Sequence, residues 1–392
     1  MMVLLKRVWI LALLLSLSGY AQVHYSGFLR SSVYSFNTPE VQQGNFYQAL
    51  NFRLSAEGLP NFYVGSHLQV AKIGEDDWSE RVYNMFADWR SASRQYQIRL
   101  GRQFVYEGTI NGTMDGLLLS ASPFRRLTVK VFAGLESPLN RDLKIVETDS
   151  TAVGAYLSYR MPFDAKVEVS YFQRERTSGT IWQLVGGALT GKIGQGLYYQ
   201  AQVDHNLLSE ELQGMRYRLT YYKEKWGLNA EYSQQEPRLL EDSFFRLFQI
   251  DAYQQYRGGV TYQLDENYLF GMQYIFTDYA LDQGNQIVLN GANQFGSVGV
   301  VFQDGYAGNN VGLYGEINYD LMQNLTLRLY GSRYTYELQT TDISEEATAF
   351  SGGLIYRPFK PLALQAEVQQ SINSDADKDV RGLFRLNYAF RR

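Results

Sequence analysis

The stretch Leu50–Val70, LNFRLSAEGLPNFYVGSHLQV, decides how the chain reads. Leu50, Phe52, Leu54 and Ala56 alternate with Asn51, Arg53, Ser55 and Glu57. A short connection over 57–60 carries Gly58 and Pro60, and beyond it Phe62, Val64, Leu68 and Val70 stand opposite Tyr63, His67 and Gln69. Successive strand side chains point to opposite faces. Strict alternation therefore marks strands with one apolar and one polar face, here joined as an antiparallel hairpin.

The same period runs outward in both directions. Leu127, Val129, Val131 and Ala133 oppose Thr128 and Lys130, and Val167, Val169 and Tyr171 oppose Lys166, Glu168 and Ser170. Trp226, Leu228, Ala230 and Tyr232 oppose Asn229, Glu231 and Ser233, and Leu362, Leu364, Ala366 and Val368 oppose Gln365, Glu367 and Gln369. Tight connections fall at 57–60, 91–94, 122–126, 161–165, 190–195, 223–225, 264–267, 320–324 and 357–361. Between them lie connections that are longer on average: 37–46, 72–80, 106–112, 137–149, 174–179, 206–210, 236–253, 279–308, 338–346 and 372–378. All eight prolines fall in these connections, as expected of residues that cannot donate to a central ladder. Nine hairpins give 18 strands, and terminal strands near 24–36 and 379–390 make about 20. The extended-looking 294–303 (QFGSVGVVFQ) is placed in the long loop, and 18 and 22 strands remain open.

Composition narrows the class. Charged residues are 19% of the chain, against roughly 25% in an ordinary soluble domain. Aromatics reach 15%, with Tyr 31. The absence of cysteine excludes a disulfide framework and thiolate chemistry. Three histidines, His24, His67 and His205, do not make a multi-histidine metal centre, and no cofactor motif is present. A formal charge of -4 does not suit a nucleic-acid partner. At the N-terminus, Lys6 and Arg7 precede the apolar run Val8–Leu17, followed by Gly19 and Ala21. This is the layout of a secretory signal peptide over 1–21, leaving 22–392 as a single domain. Removing two of 36 basic residues leaves 34 against 40 acidic, a charge of -6.

An all-β chain of this length with no linker, no composition shift and no blade-like repeat reads as one transmembrane up-and-down antiparallel barrel. Hydrocarbon cannot satisfy backbone N–H and C=O groups, so the ladder must close on itself. Short turns then collect at one rim, the periplasmic one, and longer loops at the extracellular rim. Trp89, Trp182 and Trp226 share parity with the apolar face, where aromatic belts sit. The chain closes on Phe384, Leu386, Tyr388 and Phe390 at every second position, with only Arg391 and Arg392 following.

This closing strand resembles the terminal strand of Gram-negative outer-membrane proteins. The resemblance implies recognition by the barrel assembly machinery, although the trailing arginines depart from the pattern. The run Ile98-Arg99-Leu100-Gly101-Arg102-Gln103, with Gly108, Gly112 and Asp115-Gly116, resembles a strand–loop–strand stretch of outer-membrane porins and alginate-export-type barrels. It covers about 20 residues and implies a general porin relationship, with outer-membrane lipid and lipopolysaccharide as surroundings and a homo-oligomer as one arrangement.

The polar face would line a wet lumen. It carries Arg53, Arg90, Arg99, Lys130, Lys166, Arg174, Arg216, Arg218, Arg257, Arg328 and Arg385, with Glu168, Glu231 and Glu367 among its acids. Surplus acid sits in the longer loops, such as Glu75, Asp76 and Asp77. Lining charges set ion preference, so the expectation is a passive channel for small hydrophilic solutes with weak anion preference, unless the charges pair across strands. A barrel sheathing an export or electron-conduit partner and a plugged structural or adhesive barrel are the alternatives. The apolar loop with Phe244, Phe245, Leu247 and Phe248 either folds inward or packs on a neighbouring subunit. Catalysis is not expected: Asp204-His205 and Ser66-His67 are adjacent pairs that point to opposite faces, and there is no G-x-S-x-G elbow. N-terminal sequencing of the exported protein is expected to begin at Gln22; an intact Met1 in the membrane fraction would indicate an uncleaved anchor.

Overall fold

The computed structural model describes residues 23–37, 42–138, 149–240, 252–305, 308–337, 344–373 and 379–391. The signal segment and Phe244–Phe248 lie outside them. Every regular element described is a strand: β1 (Val23–Asn37), β2 (Gln42–Ala56), β3 (Phe62–Ile73), β4 (Ser79–Arg90), β5 (Tyr96–Glu107), β6 (Ile110–Phe124), β7 (Leu127–Glu136), β8 (Thr151–Arg160), β9 (Ala165–Arg176), β10 (Gly179–Ile193) and β11 (Leu197–Asn206). The second half supplies β12 (Glu211–Lys223), β13 (Trp226–Gln235), β14 (Tyr253–Gln263), β15 (Leu269–Tyr279), β16 (Gln283–Asn293), β17 (Gly296–Gly305), β18 (Asn310–Met322), β19 (Leu325–Glu337), β20 (Ser344–Phe359), β21 (Leu362–Ile372) and β22 (Asp379–Arg391).

Each strand pairs antiparallel with the next, and β22 returns to β1, closing a 22-stranded sheet. The seam runs from Ser26↔Arg391 to Asn37↔Val380. Side chains reinforce it: Arg385 Nη2 donates to Tyr34 Oη at 2.7 Å, and Arg30 Nε donates to Asn387 Oδ1 at 2.9 Å. Closure leaves no ladder edge unpaired at the seam, which an open sheet of this length could not avoid.

The count of about 20 is corrected to 22. Residues 279–308 are not one long loop. They hold β16 and β17, paired from Gly284↔Gly305 to Asn293↔Gly296 around a turn at Gln294 and Phe295. Asn293 Oδ1 accepts from the backbone N–H groups of Phe295 and Gly296 and forms that turn without a Gly or Pro inside it. The expected longer connections at 106–112 and 174–179 are two-residue turns, at Gly108 and Thr109 and at Thr177 and Ser178. Two prolines sit inside strands. Pro123 and Pro358 lie where the register slips, between Ala121 and Phe124 in β6 and between Tyr356 and Phe359 in β20, positions at which no ladder donor is demanded.

The register gives a direct check on the added strands. Leu289 faces Val300, and facing residues sit about 4.5–5.5 Å apart at Cα, within disulfide reach. In this cysteine-free chain, Leu289→Cys with Val300→Cys is expected to oxidise readily, and Leu289→Cys with Val301→Cys to stay reduced. The reverse pattern on a non-reducing gel would remove the β16–β17 hairpin.

Candidate functional site

In a closed sheet one face looks inward and the other away. Ile98, Leu100, Leu119, Val169, Leu219, Leu313 and Val368 share one face and are each between 39% and 60% exposed. Asp88, Phe132, Phe172 and Trp182 share the other and are at most 6% exposed. Concave walls crowd their side chains and convex walls splay them, so the second face is the interior. Register places Arg53, Arg90, Arg99, Lys130, Lys166, Glu168, Arg174, Arg216, Arg218, Glu231, Arg257, Arg328, Glu367 and Arg385 on it. Phe384, Leu386, Tyr388 and Phe390 lie on the outer face of β22.

The β5–β6 hairpin leaves the wall. Its two strands pair with each other up to Glu107↔Ile110, but β4 follows β5 only to Arg102 and β7 follows β6 only to Met114. Beyond these points the tip lies on the inner face of β7 to β10. The Thr109 N–H donates to Ser170 Oγ at 3.0 Å, Glu107 pairs with Lys130, and Arg174 Nη2 donates to the Asn111 carbonyl at 3.3 Å. Gly186 makes the fit possible, since a Cβ there would stand 2.0 Å from Thr109 Cγ2. Val105 and Ile110 of the tip join Met114, Leu118, Phe132, Phe172, Trp182 and Leu184 in an apolar cluster, against which Leu240 also packs. Burying such side chains is worth roughly 1.5–3 kcal/mol each. Phe104 and Tyr106, stacked with ring centroids 6.2 Å apart, are exposed on the tip's other side.

Trp182 corrects an expectation. It pairs with Arg174 on the inner face, in unbroken register with Leu184 and Thr190; both faces of β10 are apolar here, Ile181 and Val185 on one and Trp182 and Leu184 on the other, so alternation does not tell them apart.

The motif around Gly101 works at the hairpin's base. Gly101 has φ +121, and a Cβ on it would meet the Met85 carbonyl oxygen at 2.4 Å. Arg102 then grips Asp115 through Nε–Oδ1 at 2.7 Å and Nη2–Oδ2 at 2.8 Å, while Nη1 donates to the Val82 carbonyl at 3.2 Å. Gln103 Nε2 donates to the Gly116 carbonyl at 3.0 Å. These bonds replace ladder contacts that β4 and β5 give up where they part.

The interior charges fall into two sectors. From β4 to β13 most are matched, Arg160 and Lys192 excepted: Asp88, fully buried, binds Arg90 at 3.1 Å and Arg99 at 2.7 Å; Lys166 meets Glu168 at 3.0 Å; Arg174 meets Glu136 at 3.1 Å; Arg216 and Arg218 share Glu231. Elsewhere, apart from Arg381 paired with Asp379, arginines bind neutral groups. Arg53 lies 3.7 Å over the Tyr63 ring, Arg257 donates to Gln255, Arg328 to Asn318, and Arg385 to Ser32 and Tyr34. Among the described residues no carboxylate lies within ion-pair distance of these four or of Arg30, which sequence parity had not singled out. Acids of that sector include Glu367, bonded to Gln365, Glu316, and Asp320, bonded to Thr326. No cluster of potential metal ligands occurs among the described residues.

No family model and no curated protein matches this chain. Solved structures similar to it include Pseudomonas aeruginosa OccK5 (OpdH), at 12% identity over 95% of this chain and 99% of that one, with a TM-score of 0.45. Acinetobacter baumannii OccAB3 stands at 11% over 94% and 99%, TM-score 0.46, and P. aeruginosa OccK11 (OpdR) at 14% over 95% and 96%, TM-score 0.42. At such values the likeness is remote and says nothing about substrate.

Removing one partner of a buried ion pair costs about 3–5 kcal/mol, because the other charge is left uncompensated. Asp115→Asn is therefore expected to lower unfolding free energy in detergent by about that much, and Arg102→Met with Asp115→Leu to recover most of it. A loss below about 1 kcal/mol, the range of an exposed pair, would deny the clamp its role.

Proposed function

We propose that the barrel is a passive outer-membrane channel of a Gram-negative bacterium for small hydrophilic solutes, with weak anion preference. The observation that carries this reading is the division of faces. Outside, exposed aliphatic and aromatic side chains cover strands of 10–16 residues, long enough to cross hydrocarbon when tilted. Inside, the wall is lined with charge, and lining charge makes sense only against water. Among the described residues Arg30, Arg53, Arg257, Arg328 and Arg385 have no acidic partner to cancel them, so their field reaches the lumen.

In this reading the tight turns face the periplasm and the longer loops face outward. Lipopolysaccharide surrounds the outer rim, and the closing aromatics Phe384, Leu386, Tyr388 and Phe390 serve the assembly machinery after export. No step of catalysis is assigned to any residue.

Refolded protein in a planar bilayer is expected to pass a steady current with a reversal potential displaced towards anions in a salt gradient. Arg53→Gln with Arg385→Gln is expected to move that potential towards cations. Clear cation preference in the unaltered protein overturns the anion assignment; no current at all favours a plugged barrel, and current only without a partner favours a sheath.

A further inference from the structure

Charge is sorted by height as well as by face. At the tight-turn rim, hairpins carry Arg94, Arg125, Arg126, Lys223 and Lys225, all exposed, with the acids Asp164, Glu224, Asp265 and Glu266 among them, while the opposite rim carries Glu75, Asp76, Asp77, Glu210 and Glu211. Inside the basic arc is a cavity of about 670 Å³, formed where β8 to β12 reach the turns. Arg160, Lys166, Lys192 and Arg218 line it, with Tyr198 beside them and Asp164 at its edge. Lys166 is matched by Glu168 and Arg218 by Glu231. Arg160 and Lys192 have no carboxylate partner among the described residues; the Lys192 ammonium sits 5.6 Å from the Tyr198 ring centroid.

We propose that this cavity is a binding site for a multiply charged anion, a phosphorylated or polycarboxylated solute, and that such anions enter the barrel from the tight-turn side. Two free cations flanked by two half-neutralised ones offer several donors to one ligand. A guanidinium binds phosphate or carboxylate with two parallel hydrogen bonds, and an ammonium adds a compact charge. A concave, low-dielectric wall focuses such a field, and the outlying arginines and lysines extend it to the mouth. The acidic rim repels the same anions at the other end. Arg160, Lys166, Lys192 and Arg218 all share the parity of the inner face, which directs the site to solutes in the lumen. The binding site stands without the channel reading; the direction of entry rests on it.

Pyrophosphate is the probe. Titrated into the detergent-solubilised full chain, it is expected to bind saturably, at least tenfold more weakly to Arg160→Gln with Lys192→Gln, and undiminished to Arg125→Gln. Folding of each variant is checked by its heat-dependent gel shift. Equal affinity in the double variant, or no saturable binding to the unaltered protein, overturns the site. In a bilayer, with the turn side identified by an impermeant thiol reagent on Gln294→Cys, pyrophosphate is expected to interrupt the current at tenfold lower concentration from that side. Equal potency from both sides overturns the entry direction. Binding without any current leaves the site standing and removes the channel.

Discussion

Backbone satisfaction is the constraint on which this structure depends. Every strand presents two rows of N–H and C=O groups, and a sheet that stops leaves two rows without partners. Pairing β22 with β1 removes both at once. In water an open edge invites aggregation; in hydrocarbon each unmet group costs several kcal/mol. Closure also fixes the division of faces. Once the sheet is a cylinder, a side chain's parity decides whether it meets the interior or the surroundings, and a one-residue slip would exchange every pair. Arg30 and Arg385, bonded across the seam to Asn387, Ser32 and Tyr34, hold the register where the two ends of the chain meet.

The β5–β6 hairpin departs from this rule, and its sequence compensates. Where β5 parts from β4, the Val82 carbonyl takes a guanidinium N–H of Arg102. Where β6 parts from β7, Ser137 N–H still reaches the Thr113 carbonyl at 2.9 Å. The Arg102–Asp115 pair thus stands in for part of a ladder, with geometry good enough to offset the burial of both charges. The tip gains a second set of contacts on the far wall, and its apolar side is covered there. A motif that resembles a family signature is here a structural device, explained by the bend it permits.

Parity was readable because a strand's period of two needs no knowledge of its partners. It gathered a set of charged residues, Arg53 to Arg385, on one face, and left out Arg30, Arg160, Lys192 and Arg381, which share that parity. Reading failed where both faces are apolar or where alternation is faint. Around Trp182 both faces of β10 are apolar, because the inward hairpin packs on its inner side, so alternation did not reveal which way the tryptophan points. Strand β16, GNQIVLNGA at its centre, alternates weakly through Gly284, Gly291 and Ala292, and its turn lacks the usual Gly or Pro; Asn293 was the signal that could have found it. The inward hairpin was invisible for a different reason. Its contacts, Thr109 to Ser170 among them, join residues 61 positions apart, and no local pattern encodes which wall a turn will touch.

Which charges cancel could not be read from parity either, since that depends on neighbours across the ladder. Glu231 can neutralise Arg216 and Arg218 because β12 and β13 bring all three within reach; Arg53 lies instead over a tyrosine ring. The interior field is therefore a difference between a matched sector and an unmatched one, not a sum over composition. A chain with net charge -4 can hold more cations than acids on its inner face because much of its acid sits at the loop rim, where solvent screens it within about 10 Å, whereas cations on an enclosed face are screened less. The sign of the whole protein and the sign of its inner wall are set by different residues in different dielectric surroundings.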